Sequence, residues 1–285
     1  MPELDLDDRA AIVMAHPDDE VLWASAALGR VGRVVLAYED LPFHPGISEG
    51  RRRALARFPR PVESLRLAET AAFGAAAWPD PVETATGLAV AAGPGAMRGF
   101  TAQAYQDRFA ELVVRLRPGL AGVRTVITHS PWGEYGHEDH VQLFRAVDAL
   151  RAELGFAVWV PGYVSNRSAG LMLRNLGRLG APTPPLPTDR DLGERLKALY
   201  RETGCWTWFD DYAWPEREVY YPVLPAPEAV PPGRAHPVNL VWLPAVRPPP
   251  PASRPPASPS RRLAAWVRRR LRGGPPPIGR PVKGR

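Results

Sequence analysis

Two short stretches concentrate groups that can hold a cation and move protons: AHPDDE at 15–20 and GEYGHEDH at 133–140. The first offers the imidazole of His16 and the carboxylates of Asp18, Asp19 and Glu20. A nitrogen donor beside hard oxygen donors suits zinc or a similar divalent ion. The second adds His137 and His140. Three residues apart at the start of a helix, they face the same way, one turn apart. A catalytic zinc takes three protein ligands and keeps one position open for water. Together the two stretches supply three ligands with groups left over, and hydrolysis needs such groups as a base and as an oxyanion partner.

For the stretches to meet, they must sit at neighbouring strand ends. Four short apolar runs rich in Val or Ile read as buried strands, at 11–15, 33–38, 124–129 and 156–161. Helical patterns cover 20–30, 63–77, 102–117, 138–153 and 190–203. In the fourth of these, Val141, Leu143, Phe144, Val147 and Leu150 form an apolar stripe. Strands alternating with helices predict an α/β fold, a mostly parallel sheet between two helical layers. Ligands of such sheets bind at the carboxyl ends of the strands. His16 follows the first strand, and His137 to His140 follow the 124–129 strand. Residues 40–61 read as an irregular insertion or lid, and 79–101 as a long loop rich in Pro, Gly and Ala.

AHPDDE after a first strand, paired with GEYGHEDH after a later one, resembles the PIG-L/LmbE-like family of zinc-dependent N-acetylglucosaminyl deacetylases. The likeness spans about residues 8–215. It implies a Rossmann-like three-layer sandwich that binds zinc rather than a dinucleotide, and no G-x-G-x-x-G follows the first strand. It implies His16, Asp19 and His140 as ligands of Zn2+, with Fe2+ as the alternative metal on the same residues. It implies Asp18 as the general base that takes a proton from the attacking water. His137 matches the histidine that stabilises the oxyanion and protonates the leaving amine, and Asp139 the acid that orients it. Tyr135 sits where some members place a tyrosine that polarises the amide carbonyl. The family also has an arginine followed by a glutamate on the helix after the second strand, and the arginine contacts substrate; Arg66 and Glu69 take those places. An acid that contacts substrate in the family has no counterpart in TGLAVAAGPGAMRGF at 86–100, so recognition of the distal part of the substrate should differ. The implied activity is removal of an N-acetyl or other N-acyl group from an amino sugar or glycoconjugate.

Plainer readings stand beside these. Asp18 and Asp19 have the residue type of helix N-caps; His16 before them and the second stretch favour the metal. His129 reads as a core histidine bonded to backbone, with support of the site as the alternative. His44 reads as an exposed loop residue. Trp132 and the CWTWFDDYAW cluster at 205–214 offer aromatic faces either to a sugar or to the core. The contrasting function is a non-catalytic sugar-binding or membrane-associated module that keeps the fold. The complete set of ligands and base argues for the enzyme.

Composition narrows the rest. Of 285 residues, 45% are apolar and 23% charged, the mix of a globular protein. The single cysteine, Cys205, excludes an intrachain disulfide and an all-cysteine metal site. The acidic start before a short apolar run is the reverse of a signal peptide, so a cytoplasmic protein is expected. The net charge of +6 invites a nucleic-acid partner. However, ten Arg and one Lys, with no acid, fall between 247 and 285, and the body then holds 25 basic residues against 30 acidic. No nucleic acid is expected. A deacetylase domain is expected over 1–222, a Pro-rich extension and linker over 223–260, and a basic tail over 261–285. The plain reading of this Pro/Arg-rich C-terminal tail is a solvated, disordered segment; the alternative is a short amphipathic helix with Leu263, Trp266, Val267 and Leu271 on one face, suited to an anionic membrane surface at the inner face of the membrane.

Overall fold

The computed structural model describes residues 3–93, 95–225 and 240–243. The first strand, β1 (Ala10–Met14), leads into two short helices, α1 (Asp19–Trp23) and α2 (Ser25–Leu28). Next come β2 (Arg33–Asp40), α3 (Pro45–Ala56) and β3 (Val62–Ala68). A small hairpin, β4 (Glu83–Thr84) and β5 (Gly87–Leu88), precedes the long α4 (Ala102–Leu120). Then follow β6 (Thr125–Thr128), α5 (Glu138–Leu154), β7 (Ala157–Pro161), β8 (Tyr163–Val164) and α6 (Ala169–Asn175). The remaining elements are β9 (Leu186–Pro187), α7 (Arg190–Thr203), β10 (Arg217–Glu218), β11 (Tyr220–Pro222) and β12 (Val241–Trp242).

Six strands form the central sheet in the order β11–β7–β6–β1–β2–β3. Every pairing from β7 to β3 is parallel, and β11 is antiparallel at the edge. The chain runs outward from β1 to β3, then returns to lay β6 on the other side of β1. In parallel sheets such a reversal splays the connections leaving the two strands, and ligands bind at the carboxyl ends of the strands at that point. Both chemistry-bearing stretches leave the sheet there.

The three-layer packing follows from β1 itself. Ala11, Val13 and Ala15 face a core built with Leu112 and Leu116 of α4 and Val141, Phe144 and Val147 of α5. Ala10, Ile12 and Met14 face the opposite core, with Val21, Leu22, Ala54, Leu196 and Tyr200 from α1, α3 and α7. All five strand residues are buried, so the strand reads as an unbroken apolar run, as a parallel strand covered on both faces must. Each large apolar side chain so buried contributes about 1.5–3 kcal/mol.

Three segments differ from the sequence expectation. Residues 63–77 form no helix. Val62–Ala68 is strand β3, with Leu65 and Leu67 buried and Glu63 and Arg66 exposed. The period of two in this stretch, completed by pairing with β2, outweighs its helix-forming residues. Residues 40–61 contain α3 rather than an irregular lid. Pro45 starts that helix, where its missing N–H costs nothing. The 20–30 pattern splits into two helices at Ala24, whose φ of −139° leaves the helical range. The 261–272 pattern and most of the 223–260 extension lie outside the described residues. Val241–Trp242 pairs with β8. Among the described residues no helix is long and apolar enough to cross a membrane.

The docking of α3 depends on Gly50. A Cβ there would lie 2.5 Å from the carbonyl oxygen of Thr203, at the end of α7. Gly50→Ala should therefore push α3 outward at a cost of about 1–3 kcal/mol, lowering Tm by roughly 5 °C in thermal denaturation. An unchanged Tm would show that α3 does not pack in this way.

Candidate metal centre and active site

The loop after β1 is built to aim two adjacent carboxylates at different targets. The backbone N–H of His16 donates to Asp19 Oδ2 at 2.8 Å, and that of Asp19 donates to the His16 carbonyl at 3.1 Å. Asp18 between them holds φ at +113°, a conformation that costs a non-glycine residue about 1–3 kcal/mol. Its N–H is held by Glu20 Oε2 at 3.1 Å. Asp18 stands at the N-cap of α1, yet its side chain makes no capping bond. The carboxylate is instead held by Thr207, whose N–H and hydroxyl donate to Oδ2 at 3.1 and 2.7 Å.

Asp19 points the other way. Its Oδ2 lies 3.0 Å from His16 Nδ1 and 3.2 Å from His140 Nε2, and those two nitrogens are 3.2 Å apart. Ligands of a tetrahedral zinc with bonds of 2.0–2.1 Å stand about 3.3 Å from one another. The triangle of His16, Asp19 and His140 has the donor types and the edge lengths of one face of such a tetrahedron. Its electrostatics suit a cation. Burial draws the His16 pKa down, but Glu69 and Asp19 outweigh it and raise it to about 10.

The ligands are oriented from behind. Glu134 Oε2 lies 2.8 Å from Nδ1 of both His140 and His129. Despite the cost of burial, the two rings hold the Glu134 carboxyl down at about 2. With Nδ1–H of His140 committed to Glu134, its Nε2 lone pair is directed at the triangle. This is the carboxylate–histidine arrangement that raises ligand basicity at metal sites. His129 Nε2 accepts from the N–H of Ala15 at 2.9 Å. Nε2 also lies 3.4 Å from Asp19 Oδ2, and the ring stacks on His140 with centroids 3.7 Å apart, so His129 backs the site through Glu134, Asp19 and His140 together. Trp23 Nε1 donates to Asp19 Oδ1 at 2.9 Å. Asp139 accepts from Thr70 Oγ1 at 2.7 Å through Oδ1. Its Oδ2 faces His16 Nε2 at 3.8 Å, and neither atom has a hydrogen-bond partner.

Around the triangle stand four further groups. Burial and the neighbouring Asp19 raise the Asp18 pKa to about 7, against the pull of Thr207. His137 caps α5, its Nδ1 accepting from the N–H of Asp139 at 3.2 Å. Burial, then His140 and His16, push its pKa well below the usual value. The ring is neutral, and with Nδ1 accepting, its proton sits on Nε2. Tyr135 packs between Trp208, 4.9 Å away between centroids, and His140, 5.3 Å away. Burial keeps its hydroxyl protonated. Arg51, on α3 and buried, donates to Glu69 Oε1 at 2.6 Å.

Three expected roles meet a different geometry. Arg66 is exposed on edge strand β3, with φ at +54°; the guanidinium paired with Glu69 is that of Arg51. Trp132 is wholly buried, and its N–H goes to the Tyr163 carbonyl at 2.6 Å. It offers no face to a sugar. The Asp139 carboxylate turns to Thr70 and His16 rather than to the His137 ring, which it meets only through its own backbone N–H. In the 205–214 cluster, Trp208 packs edge-on against Trp23 at 5.2 Å and joins the core. Phe209 is 41% exposed. His44 is the N-cap of α3 and is half-buried. Glu134 lies within the second stretch, yet nothing in its spacing marks it as the partner of two histidines. Arg51 and Thr207 carry no local signal.

No family model matches the chain, and no curated protein matches it. Among solved structures it is similar to the zinc-inhibited form of teicoplanin deacetylase Orf2, at 16% identity and a TM-score of 0.50. The alignment covers 77% of this chain and 99% of that one. The two share a fold. It is also similar to the A40926 pseudoaglycone deacetylase Dbv21, at 15% identity and a TM-score of 0.45, over 76% of this chain and 97% of that one.

The Glu134 pairing generates a test. Glu134→Gln keeps the size of the side chain but loses the charge behind His140, so zinc affinity should fall about 10–100-fold in a competition against a chelator. Unaltered affinity would place the metal elsewhere.

Proposed function

We propose that the protein is a metal-dependent amidohydrolase that removes an N-acetyl or other N-acyl group from an amino sugar or glycoconjugate. The observation that carries this reading is the His16–Asp19–His140 triangle with a second, uncommitted carboxylate oxygen, that of Asp18, beside it. His16, Asp19 and His140 would hold Zn2+ or Fe2+. Such a cation, when bound, lowers the pKa of water and polarises an amide carbonyl.

The chain's own residues supply the rest. Asp18 is the general base; with its pKa raised to about 7, it accepts a proton from water near neutral pH without being too weak a base. Thr207 occupies Oδ2 and leaves Oδ1 for that proton. His137, neutral and protonated on Nε2, donates to the oxyanion as it forms, a contribution of about 3–4 kcal/mol at comparable positions. Tyr135 donates a hydrogen bond from its hydroxyl to the same oxygen, and the proton that Asp18 takes from water passes to the leaving amine as the C–N bond breaks. Arg51, tied to Glu69, takes the substrate-contacting place expected of Arg66. Asp139 positions His16. The fold shared with a teicoplanin deacetylase supports an amide hydrolase and makes a sugar-bearing natural product a candidate substrate. In the same proposal the catalytic domain spans 1–222 in the cytoplasm, and the Arg-rich tail meets an anionic membrane surface.

Asp18→Asn separates base from ligand. The variant should keep its metal by elemental analysis but lose about 10²–10⁴-fold in kcat for amine release from an N-acetylated amino sugar. Wild-type turnover in a metal-loaded Asp18→Asn protein would rule out Asp18 as the base.

A further inference from the structure

Arg167, in the turn between β8 and α6, is a cation beside the candidate site whose donors are little used among the described residues. Its guanidinium carbon lies 4.7 Å from the Phe73 ring centroid and 5.1 Å from that of Trp78. Phe73 in turn lies 4.9 Å from the His137 ring. Arg167 is thus one aromatic ring removed from the group assigned to the oxyanion. Its side chain is 17% exposed, so it is largely withdrawn from solvent without being sealed off.

The hydrogen-bond ledger does not balance. A guanidinium carries five N–H donors. Arg167 makes one contact with an acid, Nη2 to Glu138 Oε1, at a long 3.4 Å. That oxygen already accepts from Ala76 N at 2.9 Å, Trp78 Nε1 at 3.0 Å and Gly74 N at 3.1 Å, more than its two lone pairs can serve well. Arg167 Nε is buried with no partner at all. Glu138 is therefore the clamp of the 74–78 loop, and Arg167 is left under-partnered. Withdrawing a cation from water without acceptors is costly. The neighbouring chain makes room for it all the same: a Cβ on Gly136 would come within 3.1 Å of Arg167 Cγ and Nε.

We propose that Arg167 binds an anionic group of the substrate, a carboxylate or phosphate carried by the same sugar that bears the N-acyl group. A guanidinium fork matches either anion with two parallel hydrogen bonds, and its flanking aromatic faces hold the plane in one orientation. This rests on the deacylase reading, and it deepens it: Phe73 spaces the anion site from His137, so the charge sits to one side of the scissile amide.

The test compares four sugars on the zinc-loaded full chain carrying Asp18→Asn to suppress turnover: N-acetylglucosamine, its 1-phosphate, its 6-phosphate, and N-acetylmuramic acid. Calorimetry should show at least one anionic sugar binding about 10–100-fold more tightly than the neutral one. Adding Arg167→Gln should abolish that advantage and leave the affinity for N-acetylglucosamine unchanged, which a general loosening of the site would not do. Which sugar gains tells carboxylate from phosphate. The proposal is overturned if no anionic sugar binds more tightly, or if the advantage survives Arg167→Gln. Amine release by the wild-type enzyme is measured separately: its failure on every sugar would sink the deacylase reading, whereas turnover with no anionic preference would sink only the role of Arg167.

Discussion

Two imidazoles and a carboxylate held about 3 Å apart are satisfied together only by a positive charge shared among them, and the site is organised around that requirement. Left to themselves, the rings of His16 and His140 and the Asp19 carboxylate would turn apart or into water. Each is prevented by a partner behind it. Glu134 grips His140, Trp23 and the backbone of His16 grip Asp19, and Asp139 and Glu69 stand behind His16. A proton on His16 meets part of that requirement; a divalent cation would meet it for all three groups. The surrounding carboxylates make the site a place where positive charge is favoured before any ligand arrives.

The sheet makes this arrangement affordable. His16 and the 133–140 stretch come from strands adjacent in space and more than a hundred residues apart in sequence. Parallel pairing of β1 with β6, in the register Ala10–Thr125 to Val13–Thr128, sets the two loops side by side. Apolar packing on both faces of β1 anchors the loop that strains Asp18. Because Asp18 and Asp19 diverge, one carboxylate can face the cation while the next stays free. Thr207, reaching in from the 204–215 loop, keeps it so.

Much of this was legible in the sequence, and the limits have physical causes. The strands 11–15 and 124–129 announce themselves as apolar runs, and the residues that follow them carry donor types with little other use in such density. Arg51 and Thr207 announce nothing. Their relevance depends on how α3 docks against α7 and on how a loop folds back over 189 residues of sequence separation, which no local pattern encodes. Arg66 misled because LRLAE reads as helix until β2 is there to pair with it. Trp132 misled because a tryptophan beside a polar motif has the same sequence whether it faces a sugar or, as here, gives its N–H to a buried carbonyl. Glu134 was within view, but its role follows only from the αL turn, φ +48°, that brings it under two rings at once.

The central claim concerns which atoms meet the metal, and zinc K-edge absorption on the zinc-loaded protein addresses it most directly. The account predicts two imidazole nitrogens at about 2.0–2.1 Å, one carboxylate oxygen and a light solvent atom, with no sulfur. A shell of three or more imidazoles would contradict it, since His129 would then have given up Ala15 or His137 its helix cap; so would a protein that takes up no zinc.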